Sequence, residues 1–579
     1  MTPLPAFGNR LSSATFWPLK RSREAGAASL LICWGNLLVA PDFSFSAMAV
    51  RSDADPARWR RRFIVWLDGI EKGWGVPLLL ACFVAVWTTY LAIAYWGSGL
   101  HPDVLETWTL GRWLEWGYPK HPPLMGWIAR GWTSLFPLTD WSLQLMAMVN
   151  AAVALWVIDR IAARFVAGEK RVVIQLLLML LPVYQFHAQR FNANSVLLAI
   201  WPIATYCFLR SFEERSLRWA AATGVSTALA MLGKYYSVFL IASLALAALL
   251  HPARRRYFLS PVPWVSAAAG LATLSPHLHW LATTGAEPFN HALAHARASF
   301  LIAITEVYFF LTGLAAALAS SAVAWLFIAG YRLKRLPEQF RNMDSGLWLL
   351  VLVSCGTIAL PVVTSLAIGT DLPSLWALQG LFLFVLPVVC CTDYAISRFH
   401  TVNLAVLAGS IALIATVVAA PVHALYRNAN GYEEGRNLYR PAALELTRRW
   451  RAMTGTPLQA VSGDDALAFA TAFYSPDHPY YVRPFAYQHS WKIPRKTILE
   501  RGWAALCFAD QLECVAWLRD TAQHVEDSVQ PSFEVQAELL GRPGVKRTII
   551  ALLVPPQAEP VPAPSNSSEN FSAIRRSAK

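Results

Sequence analysis

The chain has 579 residues and a formal net charge of +13, with 55% of its residues hydrophobic and only 15% charged. Soluble domains carry about 25% charged residues, and the mean hydropathy here is +0.38, so the composition excludes a soluble enzyme, a disordered scaffold and a disulfide-framed secreted module. Most positive charges flank long apolar runs, which makes them topology signals before they are a nucleic-acid footprint, and no nucleic-acid partner is expected.

The apolar stretch AASLLICWGNLLVA at 27–40 is too short to span a membrane and lacks a small-residue cleavage site. Met48 is followed closely by Arg51, Arg58, Arg60, Arg61 and Arg62. The expectation is that Met48 is the true start, that residues 1–47 are artefactual or disordered, and that 1–74 forms a cytoplasmic arm. Apolar runs follow near 76–97, 141–158, 172–188, 193–212, 217–233, 236–250, 261–281, 300–330, 346–368, 374–391 and 401–425, giving about eleven transmembrane helices.

Lys and Arg collect in cytoplasmic loops. With the N-terminus inside, the inner connections hold Arg160, Arg164, Lys170 and Arg171, then Arg210, Arg215 and Arg218, then Arg254, Arg255 and Arg256, then Arg332, Lys334, Arg335 and Arg341, then Arg398. The outer connections hold Arg112, Lys120 and Arg130 in one long loop and Arg190, Lys234 and Arg297 singly. The expected fold is therefore mainly α: a polytopic helical bundle over 75–425, N-terminus in and C-terminus out, with a first outer loop at 98–140. A small α/β outer domain should follow at 426–555, with a helix at 440–453 and strands at 458–462 and 547–554. The Pro-, Ser- and Ala-rich tail at 556–579 should be disordered. Cys507 and Cys514 are either bridged or two buried thiols.

The first outer loop, LHPDVLETWTLGRWLEWGYPKHPPLMGWIARGW, is too long and aromatic for a connector. Asp103 and Glu106 have capping-box spacing, which would start an interfacial helix carrying Leu105, Trp108 and Trp113 toward lipid. A carboxylate at the membrane surface is also what group transfer to a hydroxyl needs, because a base must take the acceptor's proton. In GYPKHPPL the prolines stiffen the chain and fix Lys120 and His121, cations that suit a phosphate, although Lys120 by itself reads as a snorkelling lysine. Lys234 in GKYYSVFL and Arg190 before FNANSVLL are charges at span edges that topology does not require. His277, His279, His291 and His295 match no zinc spacing and read as polar lining. Glu306 either faces a cavity or pairs with an outer arginine such as Arg297.

In this order, an acidic first outer loop, GYPKHPPL, GKYYSVFL, SPHLHW and FYSPDHP resemble the GT-C glycosyltransferases, nearest to bacterial family 39 and the rhizobial lipopolysaccharide glycosyltransferases, with protein O-mannosyltransferases and lipid A aminoarabinose transferases further off. The resemblance covers about 75–425 well and the outer segment more loosely. It implies transfer, with inversion, of a sugar from a polyprenyl-phosphate donor to a lipid or glycan acceptor at the outer face of a bacterial inner membrane. It also implies that Asp103 supplies the base and that Tyr118, Lys120, His121 and Lys234 bind the donor; Glu106, one turn on from Asp103, is a second catalytic candidate, and Arg190 and Asn194 are further substrate-binding candidates on their place in the chain. Two departures matter: Asp103-Val104 stands where many relatives have Asp-Glu, and Asn192 and Asn194 stand where many have an aspartate. A hard divalent cation prefers carboxylate oxygens, so metal-independent transfer without a cofactor is expected. A transporter or flippase of lipid-linked sugars, a polysaccharide ligase or polymerase, and a protein O-glycosyltransferase are the competing readings.

Overall fold

A computed structural model of the chain describes residues 56–284, 300–369, 372–482, 495–525 and 527–556. The expectations for residues 1–47, for the tail beyond 556, and for His291, His295 and Arg297 lie outside these residues.

The described chain is mainly helical. Helix α1 (Pro56–Glu71) leads into α2 (Gly75–Ala94), and the first outer loop folds into α3 (Pro102–Gly111) and α4 (Leu124–Leu135). The bundle continues with α5 (Asp140–Ala162), α6 (Glu169–Met179), α7 (Leu197–Glu214), α8 (Leu217–Gly233), α9 (Val238–Leu250) and α10 (Val262–Thr284). Then come α11 (Phe300–Ala329), α12 (Ser345–Ile368), α13 (Phe382–Cys390) and α14 (Arg398–Asn430). Among the described residues, five helices are by themselves long and apolar enough to cross a membrane: α2, α5, α11, α12 and α14. The other expected spans are shorter or interrupted. A π-helical turn at Val183–His187 and irregular chain to Val196 precede α7, a 3-10 turn Tyr235–Ser237 precedes α9, and two more at 374–380 precede α13. Non-helical backbone at membrane depth is tolerated where it is buried in protein or lines a cavity, and these breaks flank the candidate site.

Lipid offers apolar side chains little reason to prefer each other, so helix association rests on close packing. At the α8–α10 crossing, a Cβ on Gly224 would lie 2.2 Å from the Ser266 carbonyl oxygen, and Ser266 Oγ donates to the Ala220 carbonyl at 2.9 Å. Gly356 of α12 meets Ser243 of α9 in the same way. The connections assigned to the inner side contact one another at one end: Arg164 with Glu213, Lys170 Nζ with the Thr392 carbonyl at 2.5 Å, Arg335 with Asp393 and Arg398 with Asp68, each at 2.7 Å. At the other end, Arg436 donates to the Gly99 carbonyl at 2.9 Å and Tyr474 Oη to Asp140 at 3.0 Å. The chain is a multi-pass membrane protein whose loops sort into two sets.

After α14 the chain forms α15 (Tyr439–Thr454), β1 (Ala460–Gly463), α16 (Asp465–Tyr474), β2 (Tyr480–Tyr481), β3 (Trp503–Phe508), α17 (Leu512–Gln523), β4 (Ser532–Leu539) and β5 (Arg542–Val554). The five-stranded sheet has the order β2-β1-β3-β5-β4, with β1 parallel to β2 and β3, and β5 antiparallel to its neighbours. Strand β3 is buried on both faces. Ala504, Leu506 and Phe508 join the main core, while Trp503, Ala505 and Cys507 face a smaller core with α17. A disulfide joins Cys507 to Cys514 with Cα atoms 5.9 Å apart.

Candidate active site

The first outer loop begins with a cap that differs from the expected one. His101 is the N-cap of α3, its Nδ1 accepting from the Asp103 amide at 3.2 Å, and Pro102 occupies the first turn, where its missing N–H costs nothing. Asp103 is thereby released from capping and sits within the first turn. The apolar face of α3 also turns away from lipid. Leu105 and Trp108 are buried in protein, and Trp108 packs edge-to-face on Phe473 of α16 at 5.2 Å. Arg112 donates to the carbonyls of Pro479 and His478, at 2.8 and 2.9 Å, and stacks over Tyr480. The sheet domain is therefore seated directly on the first outer loop.

This seating leaves a polar recess. Asp103 has charged neighbours on several sides while 44% of its side chain stays exposed. Asn192 Nδ2 donates to Asp103 Oδ2 at 2.9 Å. Burial alone would raise the Asp103 pKa, but His101, the Asn192 hydrogen bond, Arg190 and Lys120 outweigh it and hold the carboxyl below the usual aspartate value. Burial lowers the His101 pKa, and Asp103 pulls it the other way.

Asn192 and Asn194 lie on one short turn. Asn192 Oδ1 accepts from the amides of Asn194 and Ser195 at 2.9 and 3.0 Å, which fixes its Nδ2 toward Asp103. Asn194 Oδ1 accepts from Lys234 Nζ at 2.5 Å, and Lys234 also lies over the Trp376 ring at 4.2 Å. Lys234 is the C-cap of α8, outside the helix. Burial lowers its pKa to about 7, with Asp103 pulling the other way. Lys120 Nζ pairs with Glu106 at 3.2 Å. Burial raises the Glu106 pKa against the pull of Lys120, and Glu106 in turn raises that of Lys120.

The structure thus brings together Asp103, Glu106, Lys120, Asn194 and Lys234, with Arg190 exposed and close enough to act electrostatically on His101 and Asp103. Tyr118 is placed differently: it is 2% exposed, donates to the Trp113 carbonyl at 3.0 Å and packs on Gly126, so it belongs to the wall. His121 is half-buried and accepts the Tyr118 amide through its carbonyl. His277 bridges the Trp116 carbonyl and the Tyr235 hydroxyl, at 2.5 and 3.0 Å, tying the loop to the segment beside Lys234. Glu306 lies half-buried in α11. Sequence reasoning missed three contributors: His101, Asn192 as the partner of Asp103, and Asp465. Asp465 comes from the sheet domain, accepts from Tyr481 Oη at 2.6 Å, and acts electrostatically on Glu106 and Lys120. Among the described residues no group of three or more His, Cys, Asp or Glu is arranged to hold a metal.

Residues 120–280 match the family described as dolichyl-phosphate-mannose-protein mannosyltransferase, a stretch that takes in Lys120, Arg190, Asn192, Asn194 and Lys234 and leaves Asp103 outside. The lipopolysaccharide core galacturonosyltransferase RgtB of Rhizobium johnstonii is 26% identical over 425 residues, 69% of this chain and 80% of its own length. The lipid A galacturonosyltransferase RgtD of the same organism is 29% identical over 180 residues, 31% of this chain and 37% of its own. In fold, the chain is similar to the crystal structure of ArnT from Cupriavidus metallidurans in the apo state, with a TM-score of 0.52, 14% identity, and 83% of this chain and 98% of that one covered. The crystal structure of the same protein bound to undecaprenyl phosphate matches with a TM-score of 0.50, at 13% identity and the same coverage. The resemblance to the GT-C glycosyltransferases is thereby borne out.

Proposed function

We propose that this glycosyltransferase moves a hexuronic acid from a polyprenyl-phosphate donor to a hydroxyl of a lipopolysaccharide core or lipid A acceptor, on the outer face of the inner membrane. The observation that carries the reading is the single recess in which a carboxylate held anionic, Asp103, faces two lysines, Lys120 and Lys234. The family match, the names of the two rhizobial relatives and the undecaprenyl phosphate of the fold neighbour support the choice of donor and acceptor.

Asp103 takes the proton of the acceptor hydroxyl as that oxygen attacks the anomeric carbon. The bond from the anomeric carbon to the phosphate oxygen breaks, configuration inverts, and the polyprenyl phosphate leaves with one more negative charge. Lys234 and Lys120 neutralise that charge, which lowers the barrier to departure. The donor phosphate competes with Glu106 for Lys120, so Glu106 holds the lysine in place until donor arrives. Transfer proceeds without a divalent cation in this scheme, because the Asn192 side chain presents its amide donor toward Asp103 and spends its oxygen on two backbone amides.

The test is reconstitution. Purified protein in proteoliposomes, supplied with undecaprenyl-phosphate galacturonic acid and extracted lipid A or core lipopolysaccharide, should yield a uronosylated lipid by mass spectrometry, with or without EDTA. Donor that crosses the bilayer without product would establish a flippase, and label on protein alone would establish a protein glycosyltransferase; either result rejects the proposal.

A further inference from the structure

We infer that Asn192 is a positioning residue for Asp103, and that the turn it shares with Asn194 holds the base and the donor-binding lysine in fixed register. The inference rests on the reading of Asp103 as the base and adds a residue and a device to it. Asn192 grips three partners at once. Its amide nitrogen donates to Asp103 Oδ2 at 2.9 Å, its side-chain oxygen accepts from two successive backbone amides, and its own backbone amide donates to Ser195 Oγ at 2.8 Å. The Ser195 carbonyl in turn accepts from Asn150 Nδ2 of α5 at 2.7 Å, which pins the turn to the bundle. Two residues on, Asn194 Oδ1 takes Lys234 Nζ. One turn therefore presents a donor to the anion and an acceptor to the cation, and the two backbone amides on Asn192 Oδ1 hold that amide in its donating orientation.

The chemistry follows from the amide's polarity. A side-chain amide donating to a carboxylate favours the ionised form and leaves the second oxygen, Oδ1, for the acceptor's proton. An aspartate in its place would put two carboxylates at hydrogen-bond distance, and like charges so close cannot both ionise without a bound cation. The charged and titratable groups around Asp103 are His101, Glu106, Lys120, His187, Arg190 and Lys234. Asn192 is the hydrogen-bonding side chain among these neighbours that carries no charge of its own, so its removal alters the ionisation of Asp103 without altering the net charge of the recess.

Three readouts on the full-length protein test this. Infrared titration follows the protonated-acid band of Asp103, identified by its loss in Asp103→Asn, and needs no turnover. Asn192→Ala should move that titration up by about one pH unit, and Asn192→Asp further still, as one proton becomes shared by two carboxylates. The acid limb of kcat/KM for transfer should move by the same amount, while the Kd for undecaprenyl phosphate stays within threefold. Asn194→Ala should do the reverse, weakening undecaprenyl phosphate binding and leaving the acid limb in place. An Asp103 titration in Asn192→Ala that coincides with the wild type would overturn the inference. A titration that moves while the rate profile stays put would keep Asn192 as a positioning residue and reject Asp103 as the base.

Discussion

Replacing Asp103 by Asn separates catalysis from architecture, because the structure gives the introduced amide most of the contacts of the carboxylate. Its oxygen can still accept from Asn192 Nδ2, and the His101 cap bonds the backbone amide of residue 103, not its side chain. A hydrogen bond to a charged group contributes about 1.5–3 kcal/mol and a neutral one about 0.5–1.5, so the exchange loses roughly 1 kcal/mol. The relief of desolvating a carboxylate offsets that loss, and folding stability should change by less than about 1 kcal/mol. Lys234 loses the neighbour that holds its pKa up, so donor affinity at neutral pH should weaken by a few-fold. The chemical step loses its base, which is worth about 10²–10⁴ in rate. Transfer measured on purified protein at saturating donor should therefore show kcat down at least a hundredfold, with donor Kd within tenfold and an unchanged thermal midpoint. A kcat within tenfold of the wild type would refute the role of Asp103, and a collapse of the thermal midpoint would show that the side chain acts structurally.

Donor binding should depend on pH through Lys234. Its pKa near 7 in the free site must rise when a phosphate arrives, so binding takes up a proton above pH 7, and the Kd for the polyprenyl-phosphate sugar, a phosphodiester with no ionisation of its own in this range, should be flat below about pH 6 and rise toward tenfold per unit above 7; calorimetry checks this, and Lys234→Ala should flatten the profile. The same depressed value means that the unfolded chain binds more protons than the folded one between pH 7 and 10.5, so the Lys234 contribution makes stability rise with pH across that window. Arg190→Gln should cost about tenfold or more in kcat/KM for a uronic acid donor and far less for a neutral hexose donor, since guanidinium pairs with carboxylate; equal losses would remove Arg190 from sugar recognition. Trp108→Ala should destabilise the seating of the outer domain by about 3–5 kcal/mol, seen as faster proteolysis after α14 in the folded protein.

Much of the bundle was legible in the sequence because apolar length and Lys/Arg placement report directly on membrane solvation. What composition could not show is where helices break: the irregular chain at 188–196 is as apolar at Phe191 and Ala193 as the helices around it, and its role rests on Asn192 and Asn194 satisfying backbone and charged groups. The capping pattern at Asp103 and Glu106 misled because His101, a weaker cap by propensity, is placed by Pro102 and frees the aspartate. In the outer domain, helix 440–453 was found by its period, while β3 was missed because burial on both faces erases alternation. The clean alternation of β4, exposed and buried in turn, was a signal left unread. Lys234 and Arg190 were visible as charges without a topological reason, Asp103 as a carboxylate at the membrane surface, and Lys120 through the prolines around it. Tyr118 was expected to touch substrate from its place in a motif, yet its role in the structure is to pack against Gly126.

The central claim is that a lipid phosphate lies between Lys120 and Lys234 with Asp103 facing it across the recess. A cryo-electron microscopy structure of the full chain with undecaprenyl phosphate tests it most directly. The account predicts the phosphate within hydrogen-bond reach of Lys234 Nζ and Lys120 Nζ, with the Glu106–Lys120 pair opened. A phosphate bound elsewhere, with that pair intact and Lys234 still on Asn194 alone, would contradict it.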